Sequence, residues 1–206
     1  AKTTEYFFRN LSLALADNDT TAKTESLSVF GQLTWHFTSA TSVTGGLRWL
    51  NEEISADLIS YLDTVPEKAS GNDSDSPIVG RVSLQHFLHD DIMTYASYAR
   101  GYKGQAFDIV GGKFSEYAAN NPVDSESSNS YELGVKSILW DRRLQLNVDV
   151  FYTTYEDFQV QRTDLIDNAV VFELDNVGEL VTQGIELDSL ILLGENIALT
   201  MNASYI

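Results

Sequence analysis

The chain has 206 residues, of which 43% are hydrophobic and 21% charged, and its formal net charge is −17. This length and apolar fraction suit one large folded domain and exclude a disordered acidic polymer. The absence of cysteine excludes disulfides and cysteine-ligated metal centres, and the thirteen Lys and Arg residues form no basic stripe that would bind nucleic acid. No apolar run reaches the roughly 20 residues that a membrane-spanning helix needs.

Nine strands are predicted from alternating apolar and polar residues. The pattern is clear between Leu27 and Phe37, where the odd positions are mostly apolar and the even positions mostly polar. Such alternation is typical of a strand with one face in lipid and the other toward a wet lumen. In chain order the predicted strands lie near residues 2–15, 27–37, 41–49, 78–85, 93–102, 131–136, 144–152, 181–188 and 197–205.

The connections between these strands are very short and long in turn. The short ones lie at Ser39-Ala40, around Asp90, around Asp141 and at Glu195-Asn196. The long polar ones are predicted at residues 51–76, 103–130 and 156–180. Short turns at one end of every strand pair and long loops at the other are typical of bacterial outer-membrane β-barrels. The predicted fold class is therefore an all-β, antiparallel transmembrane β-barrel segment with short periplasmic turns and long extracellular loops.

Negative charge is concentrated in the three long connections. They hold eighteen of the thirty acidic residues and four of the thirteen basic residues. One interpretation is a solvated acidic rim that binds divalent cations beside the lipopolysaccharide layer. The other is a mouth whose field attracts a cationic or metal-bearing ligand.

No motif predicts catalysis or a resident metal. His86 and His89 point to opposite faces of a strand, and Asp73-Ser-Asp75 lacks the Gly and Glu spacing of a calcium loop. The pairs Glu156-Asp157 and Glu186/Asp188 have nothing that marks them as glycosidase carboxylates. We therefore predict no enzyme, no catalytic residue, no metal site and no cofactor.

Charged residues on the predicted strands are expected to face the barrel lumen. In a large barrel such residues line a water-filled pore or pack against an internal plug. The candidates are Arg48, Arg81, Arg100, Glu132, Lys136, Glu186 and Asp188.

Four segments, over about half of the chain, resemble the barrels of TonB-dependent outer-membrane receptors. They are Tyr95–Gly104, Ser130–Ser137, Leu144–Gln161 and Asn176–Asp188, in the family's order and spacing. The resemblance implies a 22-stranded barrel closed by a plug. It also implies import of a scarce nutrient, most often a ferric siderophore, with energy passed on by the TonB protein.

The resemblance further implies what lies outside this sequence and what binds the receptor. Residues 1–206 would be a partial barrel that lacks the plug domain and the C-terminal strands. The expected partners are TonB (through the absent N-terminal region), the receptor's own plug, outer-membrane lipid and lipopolysaccharide, and a small-molecule metal chelate or nutrient, but no nucleic acid. Aromatic residues of the long connection after residue 102 are candidate ligand contacts: Tyr102, Phe107, Phe114 and Tyr117.

Two other interpretations stay open at this stage. A passive porin or a small outer-membrane β-barrel would conduct without TonB and would have an even strand count. A soluble adhesion sandwich would need no detergent for its extraction. The sorted lengths of the connections and the polar lumen faces count against the sandwich and favour the bacterial outer membrane, and the odd count of nine strands counts against the porin.

Overall fold

The structure is a computed structural model that describes residues 2–11, 17–61, 67–109, 116–166 and 169–206. The described residues form ten strands in one antiparallel sheet and one helix of five residues. The elements are β1 (Lys2–Leu11), β2 (Asp17–His36), β3 (Thr41–Ser60), β4 (Glu67–Asp75), β5 (Ile78–His89), β6 (Ile92–Lys103), α1 (Glu116–Asn120), β7 (Glu126–Leu139), β8 (Leu144–Ile166), β9 (Ala169–Leu192) and β10 (Ala198–Tyr205).

Each strand of the sheet pairs with the strand that follows it along the chain, apart from one interruption. The order is β1-β2-β3-β5-β6-β7-β8-β9-β10, with β4 also paired to β3. Such a meander is the connectivity of an up-and-down barrel wall. No helix within the described residues is long and apolar enough to cross a membrane.

The tenth strand, β4, lies inside the predicted long connection 51–76. It is collinear with β5, since β3 pairs with both in one continuous register, Glu52 with Asp75 and Trp49 with Ile78. Ser76 and Pro77 interrupt this line. Proline has no N–H for the ladder, but the Pro77 carbonyl still accepts a hydrogen bond of 3.1 Å from the Leu50 amide.

Two of the three predicted long loops are mostly strand, which corrects their assignment. β3 continues to Ser60 and pairs with β4, and β8 and β9 stay paired as far as Ile166 and Ala169. Among the described residues, a long stretch outside the sheet occurs only in the connection between β6 and β7. The four predicted short connections are confirmed, at residues 37–40, 90–91, 140–143 and 193–197.

The register sorts the residues next to the short turns onto two faces. The apolar face carries Leu47, Leu133, Val150 and Ile185 among others, and these side chains are 42–68% exposed. The polar face carries Glu132, whose neighbours across the strands are Ser97 and Phe151. Wide exposure of one apolar face is what a lipid-facing barrel wall requires and what a soluble sandwich would cover.

The small core lies away from this apolar band, near the long connections. Its buried residues are Ile54, Ala56, Leu58, Phe107 and Ala119, with Ala69, Ile109 and Ala118 packed against them. It therefore sits where the connection between β6 and β7 meets the β3–β4 hairpin.

Candidate functional site

The candidate site is the mouth at the long-connection end of the sheet. The described parts of the connection between β6 and β7, residues 104–109 and 116–125, lie on the polar face, contact both the β3–β4 hairpin and the β8–β9 hairpin, and are called the bridging segment. A short antiparallel bridge closes the base of the segment. In that bridge the Ala106 amide donates to the Val123 carbonyl over 3.1 Å, and the Val123 amide donates to the Ala106 carbonyl over 2.7 Å.

Apolar packing joins the bridging segment to β3. Ile54, Ala56 and Leu58 alternate along β3 and so point to the polar face, where Phe107 and Ala119 cover them. Without the bridging segment, Ile54, Ala56 and Leu58 would be exposed to water. Packing against Phe107 and Ala119 removes this apolar surface from water, which is favourable.

A glycine in β4 allows the helix to approach the strand closely. A Cβ added at Gly71 would lie 2.1 Å from the Ala119 carbonyl oxygen. Backbone atoms cannot move aside as a flexible side chain can. Only glycine at this position permits α1 to lie directly on β4.

Acidic side chains of β3 and β4 hold the polar part of the bridging segment. The Gln105 Nε2 donates to Asp73 Oδ2 over 3.0 Å, and the Ser125 hydroxyl donates to Asp75 Oδ2 over 2.9 Å. The Glu52 carboxylate lies against Gly104. Burial, and then the nearby Asp75 carboxylate, raise the pKa of Glu52 above its ordinary value.

Two amide side chains hold both ends of the bridging segment on the side of β8 and β9. Gln159 of β8 is 7% exposed, and its Nε2 donates to the carbonyls of Gly104 and Asp124, each over 2.8 Å. Asn176 of β9 accepts from the Asp124 amide over 2.8 Å and donates to the Asp124 carbonyl over 3.1 Å. A further hydrogen bond of 3.1 Å runs from the Leu174 amide to Asp108 Oδ2.

The predicted ligand-contacting aromatics have different positions. Phe107 is 8% exposed inside the small core, so its assignment as a free ligand contact is corrected to a packing role. Tyr102 is at the outer end of β6, where burial and the carboxylates of Asp75 and Glu52 raise its pKa. Tyr117 lies in α1, but the structure describes only its backbone. Phe114 lies outside the described residues.

Six of the seven predicted lumen charges share the polar face. Lys136 is linked across the strands through Asn147 to Asp188, and Glu186 lies opposite Asp149. The full set on this face is Arg48, Arg81, Glu132, Lys136, Glu186 and Asp188.

Tyr95 contacts two of these charged residues, Glu132 and Lys136. The Tyr95 hydroxyl donates to Glu132, and Lys136 Nζ lies 5.4 Å from the centroid of the Tyr95 ring. The ring also covers Gly134, whose hypothetical Cβ would lie 2.5 Å from it. The polar face therefore carries a charged patch in which Tyr95 contacts both Glu132 and Lys136.

Arg100 is on the opposite face from the other six, which corrects its assignment to the lumen. It pairs with Gly80 and Asn129, and Gly80 pairs with Leu47 of the apolar face. Arg100 was predicted to face the lumen because it is charged. Side chains alternate between the two faces along β6, and this alternation puts Arg100 on the apolar face.

Sequence reasoning missed the side chains that hold the mouth together. Gln159 and Asn176 lie within the segments that carried the family resemblance, yet nothing in a single sequence shows that their amides meet residues more than 30 positions away. The alternation of Ile54, Ala56 and Leu58 was a readable signal for the outer part of β3. No three His, Asp or Glu side chains gather as metal ligands in the part of the chain that the structure describes.

Comparison with known proteins places these features in a family context. The family model "TonB dependent receptor-like, beta-barrel" matches residues 3–206. The pesticin receptor of Yersinia enterocolitica is 30% identical over 166 residues, which are 80% of this chain and 23% of that protein. This chain thus spans about a quarter of the length of the curated relatives that it matches.

Solved structures share the fold. The ferric yersiniabactin uptake receptor FyuA from Yersinia pestis superposes with a TM-score of 0.77 at 24% identity, over 92% of this chain and 28% of that chain. The siderophore receptor PiuA from Acinetobacter baumannii gives a TM-score of 0.62 at 19% identity, over 92% and 26%. The Serratia marcescens hemophore receptor HasR gives 0.67 at 14% identity, over 93% and 39%.

Proposed function

The chain belongs to the β-barrel domain of the TonB-dependent receptors, and from that premise we propose that it is part of a receptor that imports a ferric siderophore across the bacterial outer membrane. The family consists of transport receptors of the outer membrane. The energy for import would come from the TonB protein, as in the family.

One observation carries the choice of a ferric siderophore. The relative at 30% identity is a pesticin receptor, and the fold match with a TM-score of 0.77 is a ferric yersiniabactin uptake receptor. All the solved structures, the yersiniabactin receptor at 24% included, are under 25% identical and support the fold alone, so the choice of cargo rests on the relative at 30% identity together with the higher TM-score of that receptor over the copper transporter OprC and the hemophore receptor HasR.

The geometry of the mouth supports capture of a ligand from outside. The β3–β4 hairpin, the bridging segment and the β8–β9 hairpin form one cross-linked wall at the long-connection end. Loops held on a rigid scaffold are where binding specificity resides in such folds. Tyr102 remains the aromatic candidate for ligand contact among the described side chains, and Phe114 and Tyr117 remain proposals.

The charged patch on the polar face supports a role in holding a plug. Glu132, Lys136, Asp188 and their neighbours would pair with plug side chains, and these pairs would exchange when TonB pulls. We further propose that residues 1–206 form part of the barrel wall, and that the plug and the remaining strands belong to other parts of the whole protein.

The test is uptake by the full-length receptor in cells that lack their own ferric siderophore receptors. We expect cells that express the receptor to accumulate ⁵⁵Fe supplied as ferric yersiniabactin or related chelates, and to lose this uptake when the tonB gene is deleted. Uptake that persists without TonB would favour a passive porin. No uptake of any ferric chelate, with correct insertion in the outer membrane, would overturn the assignment of the cargo.

A further inference from the structure

A groove of about 690 Å³ crosses the apolar face where β2, β3, β5 and β6 lie side by side. The groove exists because its floor is glycine backbone without side chains. A Cβ added at Gly31 or Gly45 would have no heavy atom within 4 Å. Leu33 and Val82, the two neighbours of Gly45 across the strands, stand at its sides. A plug on the polar face, as proposed above, would not fill this groove.

One end of the groove carries a positive charge. Arg100 lines it beside Tyr98, and the residue opposite Arg100 is Gly80, so no side chain separates the arginine from the floor. Arg100 forms no ion pair with any residue that the structure describes. A charged group on a lipid-facing surface is costly unless it reaches the interface or meets an opposite charge.

The position of Arg100 along its strand places it near the membrane surface. It is the ninth residue of β6, counted from the short turn at Asp90 and Asp91. At about 3.3 Å per residue and a tilt of roughly 40°, nine residues rise about 23 Å, close to the apolar band of about 25 Å in such barrels. The guanidinium thus lies at the level of lipid headgroups on the long-connection side.

We propose that the groove binds one phosphorylated lipid of the outer leaflet, with an acyl chain over Gly31 and Gly45 and a phosphate on Arg100. An arginine fork binds phosphate through two parallel hydrogen bonds, and an acyl chain is the apolar partner that a narrow backbone floor accepts. The neighbouring pocket, which Arg100 also lines, carries the carboxylates of Asp75, Glu156 and Asp157, so a phosphate would reach Arg100 from the groove and not from that pocket. This inference rests on the outer-membrane location in the proposed function and does not depend on the cargo.

The experiment measures binding of diphosphoryl lipid A to the full-length receptor in mild detergent with Mg²⁺, by native mass spectrometry. We expect one bound lipid A on the wild-type receptor. Arg100→Gln removes the phosphate contact, and Gly45→Leu puts a side chain on the floor, where an added Cβ meets no heavy atom within 4 Å, so each should weaken binding about tenfold. Dephosphorylated lipid A should bind the wild-type receptor about as weakly as it binds Arg100→Gln.

Matched controls carry the same chemical changes elsewhere. Arg143→Gln removes an exposed arginine at the short-turn end, and Gly178→Leu adds a side chain where a Cβ meets nothing within 4 Å. Both controls should bind lipid A like the wild type. Equal losses for Arg100→Gln and Arg143→Gln would reduce the binding to general electrostatics and overturn the inference, as would full binding by Gly45→Leu.

Two further measurements, of dimer formation and of ⁵⁵Fe uptake, separate the lipid from other occupants and this inference from the proposed function. A receptor that forms dimers through this face, and loses them in Gly45→Leu, would make a second copy the occupant and overturn the lipid assignment. Uptake of ⁵⁵Fe is measured on the same variants. Lost lipid binding with normal uptake supports a lipid site that is independent of transport. Absent uptake with normal lipid binding would overturn only the proposed cargo, and this inference would stand.

Discussion

Single amide side chains decide where the bridging segment lies. Gln159 is nearly buried and serves two carbonyls of the segment, those of Gly104 and Asp124. Its own backbone amide donates to Glu126 over 3.1 Å. Because buried carbonyls without a donor are costly, this one side chain fixes both ends of the segment on β8.

We expect Gln159→Leu to loosen the bridging segment without unfolding the sheet. The change keeps the side-chain volume similar but removes both donated hydrogen bonds, at a local cost of about 1–3 kcal/mol. Hydrogen exchange of the full-length receptor should quicken in residues 104–109 and 116–125. The control is Gln161→Leu, an exposed glutamine on the same face of β8. Equal exchange rates in the two variants would show that the amide of Gln159 does not hold the segment.

The carboxylate of Glu52 gives the mouth a pH dependence with a definite sign. Burial and Asp75 raise its pKa, so the folded state takes up this proton more readily than the unfolded chain does. The ionised carboxylate therefore costs stability above the raised pKa. The cost disappears as the pH falls through that pKa toward the ordinary value.

We expect Glu52→Gln to raise the midpoint of thermal unfolding at pH 7.5 and to have a smaller effect at pH 5. The uncharged amide removes the repulsion by Asp75 and the burial of a charge. The control is Glu53→Gln, which changes an exposed neighbour on the other face of β3. A variant that is less stable than the wild type at pH 7.5 would mean that the charged form makes favourable contacts in the mouth.

At the scale of elements, alternation in the sequence was sufficient near the short turns. The strands between residues 27 and 49 and those flanking Asp141 were predicted because one face meets lipid and must be apolar. The outer β8–β9 hairpin was not predicted, since its Asp, Glu and Gln residues interrupt the period-2 pattern. The outer part of β3 does carry that pattern, in Ile54, Ala56 and Leu58, but it lies in a stretch that was assigned to a loop. The ladder between β8 and β9 continues to the pair of Ile166 and Ala169.

The charged and aromatic candidates also show what a single sequence does not predict. Six of the charged candidates share one face of the sheet by register, and that this face lines the lumen stays a prediction. Arg100 was misplaced because the interface tolerates an arginine on the lipid side. Phe107 was assigned to the ligand because it lies in a long connection, but it has an apolar patch to cover on β3. The positions of Arg100 and Phe107 cannot be predicted without knowing which distant strands pair.

The bridge at the base of the bridging segment can be locked, because the chain has no cysteine of its own. Ala106 and Val123 exchange two backbone hydrogen bonds, a geometry with Cα atoms about 5.5 Å apart, within the range for a disulfide. We expect Ala106→Cys/Val123→Cys to cross-link in the periplasm and to keep ⁵⁵Fe uptake within about twofold of the wild type, since the base is already closed.

The single variant Ala106→Cys controls for the substitution, and a reducing agent controls for the bond. Uptake that falls with the cross-link and recovers on reduction would show that the base of the segment must open during transport. Absence of a cross-link under oxidising conditions would contradict the bridge itself. In either case the gel shift between oxidised and reduced protein reports the bond directly.

At the scale of the whole molecule, negative charge is sorted to one end. The regions 51–76, 103–130 and 156–180 carry eighteen acidic and four basic residues, so they account for −14 of the net charge of −17. A mouth with such a charge attracts cations from a distance and repels anions. The field reaches about 30 Å at 0.01 M salt and about 8 Å at 0.15 M, so its effect on binding must depend on salt.

We expect ferric chelates of different charge to respond to salt in opposite directions. Between 0.01 M and 0.15 M salt, association of a cationic ferric chelate with the full-length receptor should slow by about tenfold, because screening removes the attraction. Association of an anionic ferric chelate should speed up over the same range, because screening removes the repulsion. Stopped-flow quenching of tryptophan fluorescence measures both rates. The same salt response for both chelates would mean that the acidic rim does not steer the ligand, and that its carboxylates act only as a solvated surface beside the lipopolysaccharide.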